Sequence, residues 1–276
     1  VGEYLYVLGD VVSQAYITLP GAAGFYASTP DSAVLSITGD IDIQARVSPT
    51  SWTVGSAQAV VDKEFNTVNR SYRLDLNIAK LLTFIHGTAA DHATAVTNWS
   101  TTTVPFSDGQ AGWVRVTCDV DNGAGGCDVR FYTAADSSGV PGSWTQLGTT
   151  ITGAGTTDLY DNSGPLEIGS RGVGTASPFA GKIYRARVLN GIAGTVVFDA
   201  DFTDRAFGAS FAESSANAAT VSVWPGCYEP TWLPAAALYG NANHYGYEAK
   251  KLDAPEPAPK TTFPAATGGT TYPVAR

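Results

Sequence analysis

LEIGSRGVGTASPFAGKIYRARVLNG, residues 166–191, is the stretch whose reading decides the fold. Residues 166–169 form a short apolar strand, and a Gly/Ser/Pro-rich connection follows. In the second strand Tyr184, Ala186 and Val188 share one face while Arg185 and Arg187 share the other, the period-two signature of a half-buried strand. The pattern predicts an antiparallel hairpin that supplies a sheet wall, and it contains no obvious catalytic group.

The same alternation extends in both directions. Upstream, Ile41, Ile43, Ala45 and Val47 alternate with Asp40, Asp42, Gln44 and Arg46, so the strand has one apolar and one wet side. AQAVVDKEF, then SYRLDLNI with Tyr72, Leu74, Leu76 and Ile78 aligned, then KLLTFIHG read as further strands bounded by turn residues. GWVRVTCDVDNGAGGCDVRFYTA (112–134) is a hairpin around a Gly-rich connection. Downstream, TVVFDADF aligns Val196, Phe198, Ala200 and Phe202, and ATVSVW ends at Trp224. About a dozen short strands without helical periodicity between them predict an all-β, two-sheet antiparallel jelly-roll sandwich with little helix.

Composition agrees. Only 15% of residues are charged, which suits short strands and turns better than surface helices. The net charge of -9 disfavours nucleic acid, because phosphate binding needs clustered Lys and Arg. No apolar run approaches the length of a membrane span, and VGEYLYVLGD lacks the layout of a signal peptide. With no Met in the chain, Val1 is expected to follow removal of at least one residue. Cys118 and Cys127 flank the turn DNGAGG and point to the core, either as a cross-strand disulfide or as two buried thiols. Cys227 without a partner favours the thiols.

The domain division expected is an N-terminal arm or first strands over 1–23, a sandwich over 24–226 and an extended tail over 227–276. Seven of the fifteen prolines lie between Pro230 and Pro273, and apolar alternation stops there, so the tail cannot form its own core. It is expected to be held by a partner surface, another copy of the chain or a different protein, with packing on its own sandwich as the other reading. Trp232, Tyr239, Tyr245, Tyr247, Phe263 and Tyr272 are the candidate docking residues.

Read in order, the phrases at 26–47, 51–64, 70–77, 112–134, 143–157, 166–202 and 211–224 resemble the laminin-G-like branch of the concanavalin A-like jelly rolls. In wording they resemble the modules found in tail, fibre and capsid-surface proteins of double-stranded DNA bacteriophages. The resemblance spans about Gly24 to Trp224. It implies a non-enzymatic virion component, assembled in the host cytoplasm and displayed on the tail or capsid surface. Its terminal arms would dock it to other virion proteins and to copies of itself. A host-surface glycan adhesin and a secreted glycoside hydrolase are the alternatives.

Related jelly-roll glucanases use two glutamates a few residues apart on one strand. The glutamates here (Glu3, Glu64, Glu167, Glu213, Glu229, Glu248 and Glu256) are scattered. Asp40 with Asp42, and Asp199 with Asp201, share strand faces and read as solvated surface. His86 shares a face with Leu82 and Phe84 and reads as a strand residue, and neither it, His92 nor His244 accompanies a nucleophile motif. No cofactor is expected. Calcium is the one alternative, through Asp119, Asp121, Asn122 and Asp128 or through Asp158, Asp161 and Asn162, although D-N-G is equally good turn chemistry. For a glycan, Trp52 and Trp144 read as packing residues. Trp99 is the ligand candidate, together with Asp121 and Asn122.

Overall fold

The computed structural model describes residues 16–65, 69–89, 95–203, 210–224 and 227, together with strand residues 262–263 and 272–273. The chain divides into two units, Val1–Thr231 and Trp232–Arg276. In the second, Thr262–Phe263 pairs antiparallel with Tyr272–Pro273, which makes Phe263 and Tyr272 cross-strand partners. The other tail candidates, Trp232, Tyr239, Tyr245 and Tyr247, lie outside the described residues, as do His92 and His244.

The first unit is all-β. Its strands are β1 (Ile17–Pro20), β2 (Ala27–Thr29), β3 (Ile41–Pro49), β4 (Gln58–Phe65), β5 (Asn69–Asn77), β6 (Leu81–His86), β7 (Val96–Trp99), β8 (Gly112–Asp119) and β9 (Gly126–Ser137). There follow β10 (Val140–Pro141), β11 (Thr145–Gln146), β12 (Ile151–Ala154), β13 (Leu166–Ile168), β14 (Ala180–Asn190), β15 (Thr195–Asp201), β16 (Ser210–Ala212) and β17 (Thr220–Val223). A single 3₁₀ turn, Ala33–Leu35, is the helical element among the described residues. A nine-stranded sheet runs β1-β14-β3-β8-β9-β10, with β15 on β14 and with β11 and β12 on β9. An eight-stranded sheet runs β16-β17-β2-β13-β4-β5-β6-β7. All pairings between these strands are antiparallel, as a jelly roll requires.

The structure corrects the reading of residues 166–191. Both strands are present, but they do not pair: β13 lies between β2 and β4 in one sheet, and β14 lies beside β3 in the other. The intervening residues 169–179 cross from one layer to the next, and buried Phe179 plugs the crossing. Alternation reports which side of a strand is apolar, not which sheet the strand joins. A second correction concerns Tyr184. A bulge between Ile183 and Arg185 puts Ile183, fully buried, in the apolar row with Ala186 and Val188, and turns Tyr184 out under the Arg46 guanidinium.

The core lies between the sheets. Ile41, Ile43, Ala45, Val47, Val114, Val116, Phe131, Ala186, Val188 and Phe198 come from one sheet, and Tyr72, Leu74, Leu76, Leu82, Phe84, Leu166 and Ile168 from the other. Ile78 falls past the end of β5 and is 47% exposed, so the aligned row stops at Leu76. The three cysteines are free, with Cys118 and Cys227 buried. Burial and the nearby Cys127 thiol push the Cys118 thiol up to about 12.

Of the four carboxylates expected to be solvated on the outer side of the nine-stranded sheet, Asp40 and Asp201 are partly exposed and Asp42 and Asp199 are buried. Asp42 is fully buried, in a two-pronged ion pair with Arg115 (2.9 and 2.7 Å), and also accepts the Ala193 N–H at 3.1 Å. Asp199 is buried between Arg185 and Arg187. The wet side of these strands is an ion-pair lattice, because arginines alternate in phase with the acids on neighbouring strands.

Candidate functional site on the outer face of the eight-stranded sheet

Core residues alternate with outward residues along each strand, so the register of the eight-stranded sheet fixes what its outer face carries. One row across the strands reads Ser222, Ser28, Glu167, Asp62, Arg73, Ile85 and Thr97. In the neighbouring row Ala59, Asp75, Thr83 and Trp99 are in register, and Tyr26, one residue before β2, stands at the opposite end. Five strand spacings separate the two ends, roughly 24 Å.

The middle of this face is charged and sealed. Asp62, Glu64, Asp75 and Glu167 are each at most 1% exposed. Glu64 gathers three guanidiniums: Arg70 at 3.1 Å, Arg73 at 3.5 Å and Arg171 at 3.4 Å. Arg73 also reaches Asp75 at 2.9 Å, yet burial still pushes that carboxyl up to about 6. Asp62 is the outlier. Among the described residues neither of its oxygens has a hydrogen-bond partner, and burial, opposed by Arg73 and reinforced by Glu64, raises it well above the usual carboxylate range.

At one end Trp224, 43% exposed, stacks on Tyr26 with ring centroids 5.1 Å apart and planes 23° from parallel. The Trp224 N–H donates to the Tyr26 carbonyl, fixing the pair. Tyr26 in turn packs against the crossing loop: a Cβ on Gly174 would lie 2.2 Å from its ring. That loop holds Val173 at φ 57, a left-handed conformation that β-branched residues rarely adopt. Glu167 secures it by accepting the Val173 N–H at 2.6 Å and the Gly174 N–H at 2.9 Å. Burial and the Glu167 charge push the Tyr26 hydroxyl up to about 12, so it stays a neutral hydrogen-bonding group. The result is a rigid aromatic platform edged by exposed Val173 and Ser222.

At the other end is Trp99, on edge strand β7, 40% exposed beside exposed Val96 and Thr97. The sequence singled out Trp99 but not Trp224, which it read only as the close of the last strand. The usable signal was that Trp224 follows buried Val223 and therefore points outward by alternation.

The other candidates are placed elsewhere. Asp121 turns back to accept the Gly123 N–H, and Asn122 accepts the Ala124 and Gly126 N–H groups and donates to Asp128. Asp128, opposite Asp119, also takes the Thr152 hydroxyl and Arg130, and the Thr152 and Asn122 hydrogen bonds hold it below the usual carboxylate range. These oxygens thus organise the β8–β9 turn and β12, and among the described residues no three His, Cys, Asp or Glu side chains converge to hold a metal. Trp52 is fully buried against Phe106, and Trp144 packs edge-on to Trp113, the packing roles expected of them. His86 is buried on β6 beside Phe84, and desolvation lowers it to about 4.

No family of known proteins matches this sequence, and no curated protein does. Among solved structures, the CBM40 of the Ruminococcus gnavus IT-sialidase bound to α2,3-sialyllactose is 15% identical. It aligns over 67% of this chain and 94% of its own, with a TM-score of 0.48. Domains LG4-5 of the mouse laminin α1 chain align over 80% of this chain and 48% of theirs at 14% identity and a TM-score of 0.42. The heptameric SAP-like pentraxin of Limulus polyphemus aligns over 77% and 96% at 11% identity and a TM-score of 0.40.

Proposed function

We propose that this chain is a non-catalytic carbohydrate-binding jelly roll that stacks sugar rings on Trp224 and Trp99. The observation that carries this reading is the pair of exposed tryptophans at opposite ends of one sheet face, one of them pre-stacked on a buried tyrosine. An indole held flat by a second ring loses little freedom when a sugar covers its open side. Hydrolysis is disfavoured on the same face. A glycosidase needs two carboxyl groups open to substrate, and Asp62, Glu64, Asp75 and Glu167 are closed to solvent. On an array of neutral and acidic glycans the purified chain is expected to bind a defined subset. Trp224→Ala and Trp99→Ala should each weaken that binding by about tenfold, roughly 1.4 kcal/mol. Binding unchanged in the double variant, or no glycan bound at all, would overturn the proposal.

The finer reading, a virion module docked through its terminal arms to other virion proteins and to copies of itself, is supported by the order of the sequence phrases alone. Labelled antibody against the sandwich should decorate the tail or capsid surface of purified particles. Particles lacking the protein would remove this reading and leave the glycan proposal standing.

A further inference from the structure

Lys63 occupies a position where a lysine is not expected. It stands on the core-facing side of β4, in register with buried Leu166 and Tyr72, and its side chain is 0% exposed. Lysine amines ordinarily reach water even when the stem is buried. Here Nζ is enclosed by the connection before β13. It touches the main-chain carbonyl of Asn162 and lies 3.4 Å from Asn162 Oδ1, 3.5 Å from Asp161 Oδ1 and 3.0 Å from Asp31 Oδ1.

The Asn162 carboxamide is held as firmly as the amine. Its Nδ2 donates to the carbonyls of Lys63 (3.2 Å) and Asn69 (3.0 Å), and its Oδ1 accepts the Gly164 N–H at 2.8 Å. Asn162 is 7% exposed, so water barely reaches the pair. The buried amine and carboxamide, the N–H aimed at the carboxamide oxygen and the carboxylate of Asp31, which sits at the solvent edge of the pair, are therefore assembled at one place.

We propose that Lys63 and Asn162 become joined by an intramolecular amide bond. Asp31 takes a proton from the Lys63 ammonium, and Nζ forms a bond to Asn162 Cγ. The negative charge that develops on Oδ1 is met by the Gly164 N–H. The Cγ–Nδ2 bond then breaks, and Nδ2 leaves with the protons shed by Nζ. One ammonium and one carboxamide give one secondary amide and one ammonium ion, with no oxidant or co-reactant. Asn162 is the electrophile rather than Asp161, because an ionised carboxylate resists attack by an amine and Asp161 is 41% exposed to solvent. The link would tie β4 to the connection before β13, 99 residues further along the chain. Closing so long a loop covalently restricts the unfolded chain most strongly.

The test is the intact mass of the purified, folded full chain measured under denaturing conditions. The expected result is a mass short of the sequence by one ammonia, with a proteolytic fragment in which the Lys63 and Asn162 peptides are joined. Lys63→Arg and Asn162→Ala should restore the sequence value. Asp31→Asn, which keeps the shape and removes the base, should leave most of the chain unlinked. A wild-type chain at full sequence mass after prolonged incubation would overturn the proposal, whether or not the variants fold. So would ammonia loss with an unmodified Lys63 peptide, or water loss placing the link on Asp161.

Discussion

Asp62→Asn is expected to stabilise the protein at pH 7 by about 1–3 kcal/mol, the scale of one unpartnered polar group in a protein interior. Among the described residues Glu64 is ion-paired to Arg70, Arg73 and Arg171, Asp75 to Arg73, and Glu167 accepts two backbone N–H groups, which leaves Asp62 as the carboxylate of this cluster with neither an ion pair nor a hydrogen bond. Its folded-state pKa is raised, so its contribution to stability is fully present below the unfolded value and is lost as pH rises toward the folded one. Removing the group should therefore make no difference near pH 3 and a growing difference above pH 4. Denaturant midpoints of both proteins at pH 3, 5 and 7 measure this directly. His86, which opposes this trend in each protein alone, cancels in the difference. A variant less stable than wild type at every pH would mean that Asp62 is a counter-charge the arginines need.

Gly174→Ala should cost about 2–4 kcal/mol, more than most surface changes, because two penalties coincide. The backbone there is left-handed at φ 76, and the added methyl would meet the Tyr26 ring at 2.2 Å, a ring already pinned between the loop and Trp224. Neither neighbour has room to retreat: the Gly174 carbonyl accepts the Gly24 N–H and its own N–H is held by Glu167. Thermal unfolding should report the loss, and tryptophan fluorescence should shift as Trp224 leaves its stack. An unchanged melting temperature would show that the crossing loop is not the anchor of the platform.

What could be seen in the sequence was whatever depends on neighbours within a strand. The alternation of Ile41 to Val47 and of Tyr72 to Leu76 gave the right apolar faces, and the hairpin at 112–134 formed as β8 and β9. What could not be seen depends on distant partners. An eleven-residue connection suits a long hairpin as well as a sheet crossing, so 166–191 was assigned the wrong pairing. The solvated reading of Asp42 failed because its arginine lies 73 residues away. The charged row through Asp62 is likewise assembled from β4, β5 and β13, and only the register of three strands brings it together. Trp224 was overlooked because the sequence does not show that Tyr26 lies behind it.

The crossing at 166–191 also dictates an order of events during synthesis. β13 inserts between β2 and β4, and β14 fills the place between β3 and β1, so one late segment fills an interior gap in each layer before β15, β16 and β17 are added. Until residues 166–190 have left the ribosome, the strands made earlier present raw edges in two sheets at once. Such non-local closure folds slowly and leaves nascent chains open to edge-to-edge association. The arrival of this single segment therefore closes interior edges in both layers of the nascent protein at once.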